Sequence, residues 1–147
     1  MKILALDIAT NLGYADENMS GAYDLQKGPM KEKNRYYNLY WFIRELLIAG
    51  DYDIISIERT AGRHAHSMNI QSRLRGVVEL LARIYDCEII DYSAMTIKKF
   101  YAGHGHANKP QMVEEFIRRK GYEPVDDNEA DAHALYELTK SRLNEVV

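Results

Sequence analysis

The sequence predicts an α/β protein with a mixed five-stranded sheet, in which the first three strands are antiparallel and helices cover both faces. Two observations predict this class. Three short apolar segments follow one another at the N-terminus with only turn residues between them, as in an antiparallel meander. Two further apolar segments each follow a stretch with helical spacing, which indicates β-α-β crossovers.

The strands are predicted from short apolar runs that are bounded by turn residues or acids. The first strand reads KILALDIA, which is apolar and partly β-branched up to Asp7. The second and third read LGYADE and MSGAYDL, with turn residues between them. The fourth reads DYDIISIERT and its apolar run ends at Glu58, and the fifth reads CEIIDYS.

Apolar residues at helical spacing predict four long helices and one short one. The first helix shows the pattern at Tyr36, Leu39, Tyr40, Ile43 and Leu47. The helices are predicted over about 31–49, 65–85, 96–101, 109–120 and 127–144. A glycine follows the first and the fourth of them as a stop signal. The loop GHGHAN separates the third helix from the fourth.

Length and composition indicate one soluble globular domain over residues 1–147. Cys87 is the only cysteine, which excludes a disulfide framework and a cysteine-based zinc ribbon and fits a reducing cytosol. We expect Cys87 to be a buried small apolar residue. The apolar run before Asp7 is too short for a signal peptide, and no segment has the length of a membrane span. We therefore expect a cytoplasmic protein without a membrane partner.

Charge is unevenly distributed, although the formal net charge of −3 gives no global signature of nucleic-acid binding. Five arginines and a single acid lie between Arg59 and Arg83. Six basic residues and two acids lie between Thr96 and Lys120. Either segment could simply be a solvated helix face. A local basic surface is the alternative that would suit a nucleic acid.

Acids at the ends of two strands suggest a metal site. Asp7 and Glu58 each end an apolar strand, so neighbouring strands would project both carboxylates from one region of the sheet. In the last helix, Asp127 and Asn128 lie four and three residues before Asp131, on roughly the same face. Oxygen ligands without thiolates suit Mg²⁺ or Mn²⁺. Two such ions could flank a phosphodiester bond.

Five sequence blocks in order resemble the RuvC-type Holliday junction resolvases of the ribonuclease H-like superfamily. They read LALDIATNLGYA, ISIERT, QSRLRGVVELLA, TIKKFYAGHGHANKPQMV and DNEADAHAL. The resemblance extends over nearly the whole chain and implies the ribonuclease H-like fold. The short length is similar to the phage-encoded and poxvirus-like branch, which would imply the cytoplasm of a bacterial host for a phage protein.

The resemblance implies roles for individual residues. Asp7, Glu58 and Asp131 match the metal-binding acids of the family and would act in catalysis. A fourth acid or a histidine usually lies three residues before the last acid, where this chain has Asn128 after Asp127. Either residue could complete the metal shell, and the extra negative charge favours Asp127. The aromatic wedge that some members place shortly after the strand-end glutamate is missing from this chain.

Basic residues on both sides of the acids are predicted to contact DNA phosphates. Lys109 matches a catalytic lysine of the family near the scissile phosphate, and Lys98 matches a lysine that contacts DNA. The remaining predicted contacts are Arg59, Arg63, Arg73, Arg75, Lys99, His104 and His106. The glycines of GHGHANKP would allow the backbone close to DNA, and a helix start near Lys109 and Pro110 favours anions.

The activity implied by the resemblance is hydrolysis of four-way DNA junctions, and of other branched DNA, by a two-metal endonuclease. It would use two Mg²⁺ ions per site, with Mn²⁺ as a substitute, and would act as a homodimer. One alternative is a branched-DNA-binding protein without catalysis. Another is a ribonuclease that acts on RNA–DNA hybrids.

Two further patterns allow competing interpretations. The pairs His64/His66 and His104/His106 could bind zinc, but histidines in glycine-containing loops near phosphate are the favoured interpretation. The aromatic stretch RYYNLYWF could stack bases, although its helical spacing favours a core or dimer face. His133 points away from Asp131 and is interpreted as incidental.

Overall fold

The computed structural model describes residues 1–59 and 65–145, and only the backbone of residues 65–68. It contains the five strands and five helices that the sequence predicts, with small differences at their ends. The elements in chain order are β1 Ile3–Asp7, β2 Asn11–Ala15, β3 Ser20–Asp24, α1 Lys31–Gly50, β4 Ile54–Glu58, α2 Ala65–Ile84, β5 Glu88–Tyr92, α3 Ala94–Ala102, α4 Lys109–Lys120 and α5 Asp127–Glu145.

The strands form one mixed sheet in the order β3-β2-β1-β4-β5. Strand β1 is antiparallel to β2, and β2 is antiparallel to β3. Strand β4 is parallel to both β1 and β5, as β-α-β crossovers require. The predicted mixed sheet with an antiparallel first half is confirmed.

Alternation along the strands separates two apolar cores. In β1, Ile3 and Ala5 face the core formed with α3, α4 and α5. Leu4 and Leu6 face the opposite core, which α1 and α2 cover. Helices therefore lie on both faces, as predicted, and each residue of β1 belongs to one face or the other.

Helix α1 buries a stripe that includes Leu39, Ile43 and Leu47, as its spacing predicts. The aromatic residues beside this stripe divide between core and surface: Tyr36 and Tyr40 pack against the core, whereas Trp41 is 41% exposed. The inward-facing aromatic residues support the core interpretation, whereas the exposed ones do not distinguish a dimer face from a base-stacking platform. Among the described helices, none combines the length and the apolar character needed to cross a membrane.

The prediction for Cys87 is wrong in part. Its thiol is only half-buried, at the start of β5, and it donates a hydrogen bond to the carbonyl oxygen of Tyr52 at 3.1 Å. Partial exposure arises because Cys87 precedes the strand at an end of the sheet. It packs against the core that α1 and α2 cover, and it also links two chain segments through this polar contact.

Candidate active site at the carboxyl end of the parallel strands

Two acids end the neighbouring parallel strands at the centre of the sheet. Leu6 pairs with Ile57, so the next residues along the strands, Asp7 and Glu58, lie side by side. Side chains alternate between the two faces of a sheet, so Asp7 lies on the same face as Ala5, which packs in the core that α5 covers. Glu58, beside Asp7, lies on that face too. The pairing of β1 with β4 therefore brings the two carboxylates to one place, as expected from the strand ends. Both side chains are half-buried there.

Helix α5 brings the third acid, and its start is fixed by a network of hydrogen bonds. Asp126 caps the helix by accepting from the backbone N–H of Glu129 at 3.0 Å. Glu129 in turn accepts from the N–H of Val125 at 2.7 Å and from the hydroxyl of Ser20 at 2.5 Å. This network attaches the first turn of α5 to β3. Asp131 lies one turn further along the helix.

Gly13 allows α5 to approach the sheet at this point. It lies opposite Asp7 in the antiparallel pair of β1 and β2. A Cβ atom added to Gly13 would lie 2.0 Å from the carbonyl oxygen of Asn128 and 3.2 Å from the Cβ of Asp7. Only glycine therefore fits between the start of α5 and the end of β1. The fully buried Ala130, Ala132 and Ala134 give α5 a surface of small side chains that allows this close approach.

The three acids line one cavity of about 340 Å³. Lys98 of α3 and Lys109 at the start of α4 line the same cavity and supply positive charge. Its remaining lining residues are Ala94, Ile97, Ala107, Asn108, Met112 and Leu135. The structure thus combines carboxylates, lysines and an apolar floor in one recess, at the end of the sheet where β1 and β4 finish.

Burial, and then crowding of the acids, changes their protonation. Burial, and then the charges of Asp131, Glu58 and Asp127, raise the pKa of Asp7 well above its usual range. Burial, and then Glu58 and Asp127, raise the pKa of Asp131 to about 7, while Lys98 and Lys109 partly oppose the rise. Burial also raises the pKa of Glu58, against the lowering effect of Lys98. Burial and mutual repulsion therefore oppose full ionisation of the three carboxyl groups.

The donor set fits a hard divalent cation, since it consists of carboxylates that repel one another and would be relieved by positive charge. The side chains are not drawn together around one point, however. Among the residues the structure describes, no three histidine, cysteine, aspartate or glutamate side chains form a ready-made metal site. Holding an ion would thus require the carboxylate side chains to move within the cavity.

Asp127 and Asn128 have different surroundings at the start of α5. A carboxylate oxygen of Asp127 lies 3.0 Å from the Nζ of Lys109. The side-chain amide of Asn128 makes a long contact of 3.5 Å with Asp126. The backbone carbonyl oxygen of Asn128 lies against Gly13. Asp127 therefore contributes charge next to the cavity, while Asn128 packs the helix start onto the sheet.

Helices α3 and α4 hold the basic residues that flank the cavity. Asn108 caps α4 and forms a capping box with Gln111, so that Lys109 occupies the first helical position. His104 and His106 are exposed in the loop between α3 and α4. Lys99, next to Lys98 on α3, does not line the cavity. This arrangement gives one positively charged border beside the acids.

The predicted arginines are distributed differently from the expectation that all lie beside the acids. Arg59 directly follows Glu58 and pairs with Asp91, and Arg75 pairs with the same carboxylate. Arg73 is exposed in a groove between α1 and α2, on the face of the sheet opposite to the cavity. Arg63 lies outside the described residues.

The competing zinc interpretation receives no support from the structure. His104 and His106 belong to the described part, where no group of three ligands is formed. His64 and the side chain of His66 lie outside it. Thr60 and Ala61, where a wedge residue would stand, are also outside the described residues.

His133 is not incidental. It is buried, with 3% of its surface exposed, and its Nδ1 lies 2.9 Å from the hydroxyl of Tyr101. Its Nε2 lies 3.3 Å from a carboxylate oxygen of Glu137. The side chain therefore joins α3 to α5 on the side of the helix away from the acids. Hydropathy periodicity could not reveal it, because a histidine counts as polar in such patterns.

Gly13 and Asp126 were also missed as residues that position the site. The spacing of Asp126 and Glu129 matches a capping-box signature, which would have located the start of α5 more firmly. No local signal identifies Gly13, since its role depends on the register of β1 with β2 and on the distant α5.

The fold and the acidic cavity define a protein of the ribonuclease H-like class with a carboxylate site at the end of its central strands. The sequence profile described as "Crossover junction endodeoxyribonuclease RuvC" matches residues 19–136. The chain therefore belongs to the RuvC family of crossover junction endodeoxyribonucleases.

Comparisons with individual proteins agree with this family. A crossover junction endodeoxyribonuclease RuvC of Synechococcus sp. (strain WH7803) is 28% identical over 95 residues, which cover 63% of this chain and 62% of that protein. The chain spans 59 to 66% of the length of the curated relatives it matches.

Two solved structures share the fold. Thermus thermophilus RuvC in complex with a Holliday junction substrate has a TM-score of 0.78 at 20% identity, covering 98% of this chain and 96% of that one. Fowlpox virus resolvase in complex with substrate Holliday junction DNA has a TM-score of 0.55 at 15% identity, covering 95% and 99%. Assignment to a phage or poxvirus branch stays a prediction.

Proposed function

We propose that this chain is a divalent-metal-dependent endonuclease that hydrolyses phosphodiester bonds in four-way DNA junctions and related branched DNA. The observation that carries the proposal is the convergence of Asp7, Glu58 and Asp131 in one cavity, with raised pKa values for all three carboxyl groups. Membership of the RuvC family supports the substrate class. Further support comes from Thermus thermophilus RuvC, which shares this fold and whose complex contains a Holliday junction as its substrate.

In this proposal Asp7, Glu58 and Asp131 hold two Mg²⁺ ions, and Mn²⁺ can replace them. When bound, the ions supply Lewis-acid activation of water and stabilisation of charge on the phosphate. Lys98 and Lys109 bind and orient the phosphate at the open side of the cavity, because both already line it with their positive charges.

We assign the fourth position of the shell to Asp127 instead of Asn128. Asp127 raises the pKa of both Asp7 and Asp131, so its charge acts within the cluster. Lys109 is paired with Asp127 at 3.0 Å and would be released toward DNA when Asp127 turns to an ion.

Mg²⁺-dependent cleavage of a synthetic four-way junction, mapped on all four strands, tests the proposal. We expect paired nicks with Mg²⁺ or Mn²⁺ and none with EDTA. Asp7→Asn should abolish nicking and leave junction binding nearly intact, because it removes ligand charge without changing side-chain volume. A parallel loss of binding and cleavage would instead show that Asp7 supports the fold. Cleavage of an RNA–DNA hybrid in place of the junction would favour the ribonuclease.

A second candidate function is binding of branched DNA without catalysis. It is favoured by Asn128, which stands where the family usually has an acid or histidine, and by the absence of a ready-made group of three metal ligands among the described residues. Junction binding without nicks in Mg²⁺ or Mn²⁺ at any pH would establish this candidate and exclude the endonuclease.

Comparison of Asp127→Ala with Asn128→Ala tests the fourth position. We expect Asp127→Ala to raise the Mg²⁺ concentration needed for half-maximal cleavage by about tenfold, in line with loss of a metal-shell group. Asn128→Ala should have a smaller effect, since its backbone makes the contact with Gly13. The reverse order would assign the position to Asn128.

We also propose a homodimer, in which each protomer nicks one strand. The α1–α2 side of the molecule exposes apolar residues, including Trp41, Leu80 and Ile84, and the groove between these helices is lined by Val77 and Leu80. A second copy would cover this face and leave both cavities on the opposite faces of the sheets. Leu80→Asp should shift the protein to the monomer in sedimentation; an unchanged mass would place the dimer contact elsewhere.

A further inference from the structure

An ion-pair network lies beside the end of β4, on the face of the sheet that α2 covers. Asp91 of β5 forms its centre. One carboxylate oxygen of Asp91 accepts hydrogen bonds from the Nε and Nη2 of Arg59, both at 3.2 Å. The other accepts from the Nη2 of Arg75 at 3.0 Å. One carboxylate therefore holds two of the arginines that the sequence assigns to DNA contact.

The two arginines differ in how completely their donors are used. The Nε of Arg75 donates to Glu79 at 2.8 Å, so one edge of this guanidinium is shared between two carboxylates, and the side chain is only 24% exposed. Arg59 directs the same edge to Asp91 but is 60% exposed. Arg75 therefore connects α2 to β5 as a structural residue, whereas the side chain of Arg59 is accessible to a ligand.

The occupied edge of Arg59 is one that could bind a phosphate with two hydrogen bonds. The Nε and Nη2 groups of a guanidinium match two oxygens of a carboxylate or a phosphate equally well. A phosphate that takes this edge has to displace Asp91. Hydrogen bonds from Arg75, and then from Arg59, lower the pKa of Asp91, so the competing carboxylate is charged at neutral pH.

Arg59 is also close to the cavity. It follows Glu58 directly, and its backbone N–H donates to the carbonyl oxygen of Tyr92 at 2.7 Å, which extends the pairing of β4 with β5 by one residue. Its side chain therefore leaves the sheet next to the acids, on the other face. A DNA strand whose phosphate enters the cavity would pass this end of the sheet.

We propose that Asp91 is a specificity-determining residue, which competes with DNA phosphate for Arg59. The inference rests on the proposed function in one respect, that the ligand is branched DNA. A junction held by its other contacts presents a phosphate at high effective concentration, and this phosphate displaces Asp91. Linear duplex makes fewer simultaneous contacts and gains little from an arginine that is already neutralised. Asp91 thereby reduces binding to DNA that lacks a branch.

The test compares Asp91→Asn with the unchanged protein by fluorescence anisotropy, using a four-way junction and a linear duplex of equal length in EDTA. We expect duplex affinity to rise about three- to tenfold and junction affinity to rise less, so that the ratio falls. The slope of log affinity against log salt concentration for duplex should steepen by about 0.9, because a freed Arg59 releases one counterion on binding phosphate. A fall in duplex affinity would overturn the proposal.

Two control variants separate competition from general charge. Glu88→Gln removes the same charge from the exposed start of β5, outside the network, and should leave the junction-to-duplex ratio unchanged. Asp91→Glu keeps the charge and should keep most of the preference for the junction over the duplex. If its duplex affinity rose as much as that of Asp91→Asn, competition by charge would be contradicted.

Arg59→Gln leaves Asp91 in place, so it tests the proposal even if Asp91 variants fold poorly. It should lower junction affinity more than duplex affinity, and it should cancel the gain of Asp91→Asn when the two are combined. Equal losses on both DNAs would overturn the inference. If the wild-type protein bound neither DNA at low salt, the proposed function itself would fail. If the wild-type protein preferred the junction and Asp91→Asn had the same junction-to-duplex affinity ratio, only the role of Asp91 would be excluded.

Discussion

Asp131→Asn should stabilise the metal-free protein while it removes cleavage. The pKa of Asp131 is raised to about 7, so above that pH folding forces a charged carboxylate into a buried, acidic cluster. The unfolded chain holds the same group at its ordinary pKa. Asparagine has nearly the same shape without the charge, and it therefore relieves this cost.

The magnitude follows from the size of the shift. A rise from 3.8 to about 7 corresponds to about 4 kcal/mol of lost stability well above pH ~7. Because the side chain is half-buried and water screens part of the repulsion, we expect the variant to gain about 2 kcal/mol at pH ~8.

The extra stability of Asp131→Asn should be larger at high pH than at low pH. The folded pKa lies above the unfolded one, so the folded state takes up the proton first as the pH falls. The destabilisation by Asp131 is then relieved between pH ~7 and ~4, and the difference between the two proteins should shrink by more than half at pH ~5.

Urea unfolding in EDTA at pH ~8 and ~5 measures this difference. Mg²⁺ should then stabilise the unchanged protein more than Asp131→Asn, because ligand binding to the folded state adds to its stability. Glu114→Gln, at an exposed position of α4, is the matched control and should show little effect. If Asp131→Asn were no more stable at either pH, burial and the neighbouring acids would not disfavour the charged form of Asp131.

Two further predictions concern residues that position the site. Gly13→Ala should lower cleavage at least tenfold and destabilise the fold by about 2 kcal/mol, because its Cβ would lie 2.0 Å from a backbone oxygen; Gly76→Ala, where nothing lies within 4 Å, should be neutral or stabilising. Tyr101→Phe should cost about 1 kcal/mol in urea unfolding by removing the hydrogen bond to His133. Burial lowers the pKa of His133 to about 4. The stability that neutral His133 gives to the folded state should therefore be lost as the pH falls from ~6.5 to ~4. For Asp131, stability should instead rise as the pH falls.

Much of the fold could be predicted because local patterns agree with the tertiary structure. The apolar runs that end at Asp7 and Glu58 are strands whose ends meet, since parallel neighbours finish at the same edge. The helix pattern of α1 placed Leu39 and Ile43 in the core. Gly121 ends α4 in the left-handed conformation that glycine favours.

What could not be predicted depends on which distant residues become neighbours. The sequence presents Arg59 and Arg75 as free charges beside Glu58, but Asp91 lies 32 and 16 residues further along the chain from them. It forms ion pairs with both only after β4 and β5 pair. Charge counts along a segment cannot detect such a partner. The same limit applies to His133, whose partner Tyr101 belongs to another helix.

The acidic cluster is unfavourable by itself, so contacts outside it must hold it together. The cap of α5 links Asp126 to Glu129, and Ser20 attaches Glu129 to β3. Gly13 lets the same turn rest against β2. These contacts fix where Asp131 stands relative to the strand ends, although none of them touches the cavity. It follows that part of the stability of the folded chain is used to oppose the burial and mutual repulsion of carboxylates. A cation that enters the cavity would recover it.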